Sequence, residues 1–402
     1  MTAVPRYRTH AGPAILSAGF RPFFLAGAVW AAVAIPLWLA VYAGDAIVPT
    51  LLQPLVWHAH EMVFGFAAAV VAGFLLTAIP NWTGRLPLQG LPLLTLAALW
   101  AIGRIAVLLS ARIGAPLAAI ADLAFPALFL AVVAREIIAG RNWRNLPMLG
   151  ALTLLLAANL LVHLEALDVA GTAALGNRLG IATLLMLIGL VGGRIVPSFT
   201  RNWLTKARPE VRPPAAPEGG LDRAALIVTA LGLACWVSAP DMGFSGWVLV
   251  IAGAAVALRL SRWRGLRTTA EPLLLILHVG YGWLALGLLL LGADLLTGLL
   301  PYGAALHALT VGAIGTMTLA VMTRASLGHT GRPLTAGSAT VAIYLLISLA
   351  AVLRFAAPFD PGAMQQLLSA AGAAWSAAFV LFAVFYGAAL VRPRPRDEAK
   401  PI

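Results

Sequence analysis

Charge is the scarcest property of this chain. Only 10% of its 402 residues are Asp, Glu, Lys or Arg, where a soluble domain carries about a quarter. That shortage excludes an ordinary solvated fold, and 61% hydrophobic residues point to an integral membrane protein with almost no soluble part. Cysteine is nearly missing as well. A lone Cys235 excludes an internal disulfide and any thiolate-held iron–sulfur cluster, and no CxxCH run exists to attach haem covalently. Phosphate-cradling glycine loops and a Ser/His/Asp order are absent too, so soluble-enzyme chemistry has no support. The net charge of +12 does not indicate nucleic acid as a partner, because the basic residues sit in short loops between apolar runs. The segment MTAVPRYRTHAGP is polar and basic without a short apolar core, so no removable signal peptide is expected.

What is present is a series of apolar runs, each long enough to cross a bilayer. They are expected near Gly19–Ala43, Val56–Leu88, Leu91–Ser110, Ala115–Ile138, Leu146–Leu164, Leu179–Val196, Ala224–Ser238, Gly246–Leu260, Pro272–Leu291, Tyr302–Thr323, Ala339–Leu353 and Leu367–Val391. The longest loop candidate is a polar, Pro-rich link from Thr200 to Gly220. The fold class is therefore all-α: a polytopic bundle of about twelve transmembrane helices, with residues 1–392 as one membrane domain and 393–402 as a basic cytoplasmic tail. Basic loops (Arg6/Arg8, Arg85, Arg135/Arg141/Arg144, Arg201 to Arg212, Arg262/Arg264/Arg267, Arg324/Arg332, Arg392 to Arg396) alternate with basic-poor ones around Asp45, Arg112, Asp168, Asp241, Asp294 and Asp360. By the positive-inside rule both termini are cytoplasmic, and the lipid bilayer is the first expected partner.

One run carries ionisable groups that hydrocarbon makes costly. VWHAHEMVFGFAAAVVAGFLLTAIPNWTGRLPL holds His58, His60, Glu61 and Met62 in its first turns, and an intramembrane cluster of this kind is a functional-site hypothesis by default. Imidazole and thioether also hold haem iron and copper. The same register recurs in the tenth run. His60, Gly65, Thr83 and Arg85 match His307, Gly312, Thr330 and Arg332 at a constant offset of 247 (307−60, 332−85). A fainter copy ends the sixth run, where Pro197, Phe199 and Thr200 follow Pro80, Trp82 and Thr83 by 117. Three four-helix repeats of roughly 120 residues would produce this pattern, as would chance matching in Gly/Ala/Leu-rich helices.

Twelve helices in three arcs resemble the heme-copper oxidase catalytic subunit in architecture alone, since that family's paired histidines on the seventh helix and its copper ligand on the sixth are missing. A more specific likeness lies in GFRPFF, HAHEMVFGF, AGFLLTAIPNWTGR, GGRIVPSF and HALTVGAIGTMTLAVMTRASLGHTGR, in this order. This set resembles the NnrS family over nearly the whole chain. The resemblance implies a bacterial inner-membrane protein tied to nitric oxide metabolism, denitrification and nitrosative stress, containing haem and copper. Conversion, carriage and sensing of nitric oxide are equally compatible with it, and no electron donor is implied.

Site expectations follow. His58 and His60, two apart, point about 200° away from each other on an α-helix, so they serve different sites. His58 shares a face with Glu61 and Met62, which suits copper or a hydrogen-bonded knot. His60, the register mate of His307, is expected to clamp a b-type haem with it; the bland alternative is interfacial histidines bonded to carbonyls or water. His163 is a candidate extra ligand or a solvated helix-end residue. His278 is a second metal ligand or an interhelical hydrogen-bond partner. Arg194 pairs with a haem propionate or a buried carboxylate, and Arg104 and Asp122 form a mutual ion pair. His329, Arg85 and Arg332 are expected to be structural, with a lipid phosphate as the alternative partner of each arginine. The competing class is a twelve-helix secondary transporter, which would usually show two-fold repeats around a midplane site.

Overall fold

The computed structural model describes residues 10–214 and 219–394. The described residues form helices and no strand, and twelve of the helices are long and apolar enough to cross a membrane. They are α1 (Phe20–Ala43), α2 (Pro54–Thr83), α3 (Leu91–Leu108), α4 (Ala115–Ala139), α5 (Leu146–Ala166), α6 (Ala173–Ala207), α7 (Gly220–Ser238), α8 (Gly243–Ser261), α9 (Pro272–Thr297), α10 (Tyr302–His329), α11 (Ser338–Ala356) and α12 (Met364–Val391). The expected basic tail lies outside the described residues from residue 395 onward, as do Arg6 and Arg8.

Two boundaries differ from expectation for physical reasons. The second run stops at Thr83, because Gly84 takes the left-handed conformation (φ 72°) that ends a helix cheaply and leaves RLPL outside. The sixth helix continues through Thr200 to Ala207, well into the expected link. Its last turns are amphipathic rather than apolar, burying Thr200 and Leu204 while Asn202 and Lys206 are exposed. Hydropathy reads such a stretch as loop, although its backbone hydrogen bonds are helical.

Helices α2, α6 and α10 stand at the centre, with α6 packed against both others. α2 and α10 are the most buried spans. Around them pack three arcs: α3, α4 and α5; α7, α8 and α9; and α11 and α12 with α1. Large apolar side chains on the arcs face outward, among them Ile105, Ile120, Leu231, Ile251, Leu345 and Val384, as lipid contact requires. Below, "upper" denotes the end at which α2, α6 and α10 begin.

Each central helix contains a π-helical segment: Glu61–Ala67, Ile188–Gly192 and Ala308–Gly315. The first and third begin 247 residues apart (308−61), directly after His60 and His307. A π turn widens the helix and loosens the normal carbonyl pairing, which is costly in hydrocarbon unless another donor arrives. Here donors come from the arcs. Trp100 Nε1 donates to the Gly65 carbonyl at 2.9 Å. Arg259, itself paired with Asp222 at 2.8 Å, donates to the carbonyls of Gly189 and Gly193 at 3.0 and 3.3 Å. The GFRPFF segment ties the third arc together: Arg21 Nη1 donates to the carbonyls of Leu390 and Arg392, both at 2.8 Å, and of Ala389 at 3.2 Å, capping the end of α12.

Candidate metal centres around the central helices

The histidines of HAHEMVFGF part company at the start of the π segment. His60 turns toward the first arc and is fully buried. Its Nδ1 lies 3.0 Å from Glu61 Oε1, and its Nε2 lies 3.1 Å from Asp122 Oδ2 and 2.9 Å from Asn159 Oδ1. His163 Nε2 reaches the same Asp122 oxygen at 2.9 Å, and Asn159 Nδ2 donates to it at 2.8 Å. Arg104 pairs with Asp122, as expected, and with Glu61 Oε2 at 2.7 Å; that oxygen also accepts from Trp30 Nε1 at 2.8 Å. His60, Asp122 and His163 therefore offer three ligand atoms within 4.8 Å of one another, the geometry of a cage for one metal ion. With neutral imidazoles, two carboxylates and one guanidinium leave this dry cluster at a net charge of −1, which either a proton on His60, whose two ring nitrogens both face acceptor oxygens, or a bound cation offsets.

His58 turns the other way, into an upper cavity of 280 Å³ between α1, α2, α6, α10, α11 and α12. Its ring stacks on Trp38 with centroids 4.2 Å apart, and its buried Nδ1 has no hydrogen-bond partner among the described residues. His307 lines the same cavity. His307 Nδ1 donates to the Gly303 carbonyl at 2.7 Å. A carbonyl only accepts, so the tautomer is settled and Nε2 keeps a free lone pair, as metal-binding imidazoles usually do. Arg354, Thr310 and the thioether of Met62 also line it, and Arg354 Nη1 is buried without a partner among the described residues.

The expected assignments change accordingly. His307 shares its cavity with His58, not with its register mate His60, whose two ring nitrogens face the first-arc cluster and not that cavity. Glu61 joins His60 and Arg104 instead of the face of His58, because the π segment begins at Glu61 and breaks the i, i+3 relation; Met62 stays with His58. His163 is buried in the cluster, not solvated at a helix end. His278 Nε2 lies 2.9 Å from the Thr200 hydroxyl, an interhelical hydrogen bond, with no further ligand beside it among the described residues. Arg194 is exposed in a different cavity at the lower end, away from His307 and without a carboxylate partner among the described residues. His329 packs on Phe20 with ring centroids 5.6 Å apart, and Arg85 pairs with Glu136.

Three contributors escape a motif reading. Asp122 as the hub and Asn159 beside it are polar residues in the middle of apolar spans, which is itself the signal. Arg354 stands near the basic-poor end of α11, an exception to the charge alternation that marks it in retrospect.

None of the curated proteins matches the chain. The model of the NnrS protein family does, over residues 14–394, and that span includes every helix and both clusters. The chain is a multi-pass membrane protein that belongs to the NnrS family.

Proposed function

We propose that this protein is a haem-bearing, copper-assisted membrane protein of the bacterial nitric oxide response, acting in nitrosative-stress resistance from the inner membrane with both termini cytoplasmic. The observation that carries the reading is the upper cavity: two imidazoles and an arginine present unpartnered nitrogens to an otherwise apolar space. Those nitrogens fit a flat apolar macrocycle with anionic edges. His58 and His307 would hold it through imidazole nitrogen, Trp38 and Trp375 supply apolar walls, and Arg354 offsets carboxylate charge. Haem iron supplies a centre that binds nitric oxide and exchanges single electrons. The two histidines are held differently. His307 is anchored by the Gly303 carbonyl, whereas His58 rests on a ring stack without a hydrogen bond among the described residues, so of the two His58 would be the less firmly positioned ligand.

The second metal, copper, belongs to the His60/Asp122/His163 cage in this reading. The net −1 charge of the cluster supports it, since a metal ion satisfies the balance that a proton on His60 would otherwise supply. Three arcs around three central helices fit poorly with the two-fold repeats of secondary transporters.

The test is haem and copper quantification with absorption spectra on equally expressed variants. His58→Ala and His307→Ala are expected to lose the b-type spectrum and to sensitise cells to nitric oxide. His163→Ala is expected to keep the haem and lose copper. A wild-type protein that purifies folded but colourless, or full haem in both His58→Ala and His307→Ala, overturns the haem reading.

A further inference from the structure

The lower ends of α2, α6 and α10 enclose a second cavity, of 580 Å³. It is built from two helical positions, each used three times. Thr77, Arg194 and Arg324 are separated by the repeat offsets 117 and 247 (194−77, 324−77), and so are Trp82, Phe199 and His329 (199−82, 329−82); all six line it. The trio of rings stands one turn beyond the trio holding the guanidinium groups. Arg324 lies over the Phe199 ring, 4.2 Å from its centroid. Among the described residues no Asp or Glu lines the space. Neither Arg194 nor Arg324 has a carboxylate within ion-pair distance among the described residues, whereas Arg104 and Arg259 in the same bundle do. Toward the middle of the helices the cavity adjoins an apolar slot of 90 Å³, with Phe74, Val191 and Val321 common to both.

The half-buried Arg324, set over an aromatic ring, and the exposed Arg194 on the same rim together offer an anion two charge-assisted donors. The slot beyond them accepts only an apolar body. We propose that the lower cavity binds an amphipathic anion, its phosphate or carboxylate head on Arg194 and Arg324 and its chain or ring in the slot. An acidic membrane lipid and a freely diffusing amphiphile share this chemistry. The proposal stands independently of either metal.

The experiment uses the full-length protein, delipidated in a neutral maltoside detergent. The probe is the fluorescent fatty carboxylate parinarate, competed with dodecyl phosphate, dodecylphosphocholine and inorganic phosphate. Saturable binding of one parinarate per chain is expected, displaced by dodecyl phosphate and not by inorganic phosphate. Dodecylphosphocholine, whose choline cancels the charge, should compete more weakly. Arg194→Gln and Arg324→Gln should each weaken binding at least about ten-fold, the loss of one charge-assisted hydrogen bond, while Arg85→Gln should not. If the arginine variants fail to fold, Thr77→Trp, which fills the cavity without touching a charge, should block the probe. Native mass spectrometry before delipidation separates the sources: one retained acidic phospholipid, lost in Arg194→Gln/Arg324→Gln, identifies the lipid, and an empty protein that binds parinarate identifies the free amphiphile. Equal parinarate affinity in wild type and the arginine variants, or full competition by inorganic phosphate, overturns the proposal.

Discussion

Replacing Arg104 with Leu tests the charge balance of the buried cluster. Arg104 is 4% exposed, and its partners Glu61 and Asp122 are 0% and 1% exposed. Without the guanidinium, two carboxylates face one another with at most one compensating proton on His60, so one buried charge is left over. Breaking a buried pair from one side costs ~3–5 kcal/mol. The lower half of that range is the better expectation in a membrane, because the unfolded chain in a micelle also finds polar partners. Adding Asp122→Asn removes the surplus charge and should return ~1–3 kcal/mol, a coupling typical of groups in contact. The control is Arg85→Ala, which breaks a half-exposed pair with Glu136 and should cost below ~1 kcal/mol. Denaturation of the purified protein by titration from dodecyl maltoside into dodecyl sulfate, followed by far-UV circular dichroism, reads Arg104→Leu, Asp122→Asn, their double variant and Arg85→Ala against wild type. A metal in the cage adds a signature: copper should restabilise Arg104→Leu, whose two free carboxylates balance a divalent ion, more than the double variant. An Arg104→Leu protein within ~1 kcal/mol of wild type, or a double variant as weak as the sum of its parts, would refute this reasoning.

Further outcomes are expected elsewhere. A Cβ on Gly65 would sit 2.8 Å from Glu61 Oε2 and 2.9 Å from Arg104 Nη1, and one on Gly312 would meet the Trp283 ring at 2.6 Å; Gly65→Ala and Gly312→Ala should each lose ~1–3 kcal/mol in the same titration. Arg21→Ala frees three carbonyls at the end of α12, and limited proteolysis should then cut the C-terminal end faster than in wild type. Reporter fusions after Asp45, Asp168 and Asp294 should read outside the cytoplasm; an inside signal at two of them contradicts the orientation drawn from the basic loops.

Hydropathy and charge alternation find the twelve helices because a bilayer leaves few other options for a chain this apolar. They end α6 too early because its amphipathic last turns are not apolar. The repeat offset of 247 is visible in the sequence, and the π segments after His60 and His307 obey it. The failure is instructive: equal register does not mean equal surroundings. His60 meets Asp122, Asn159 and His163 from the first arc, while the third arc offers His307 a cavity with Arg354. Which partner waits behind a helix is a property of tertiary packing, and the π turn at Glu61 adds a local rotation that an α-helical wheel over His58–Met62 does not contain.

The third arc has a history the other two lack. It joins α1 to α11 and α12, so it pairs the earliest of the twelve described spans with the two made last among them. The His60/Asp122/His163 cluster draws on α2, α3, α4 and α5 and can close while the rest is still being synthesised. The cavity of His58 and His307 needs α12 for Trp375 and Gly372 and α1 for Trp38. Any group that enters it therefore needs the chain through α12, whereas every residue of the His60/Asp122/His163 cluster has been made by the end of α5.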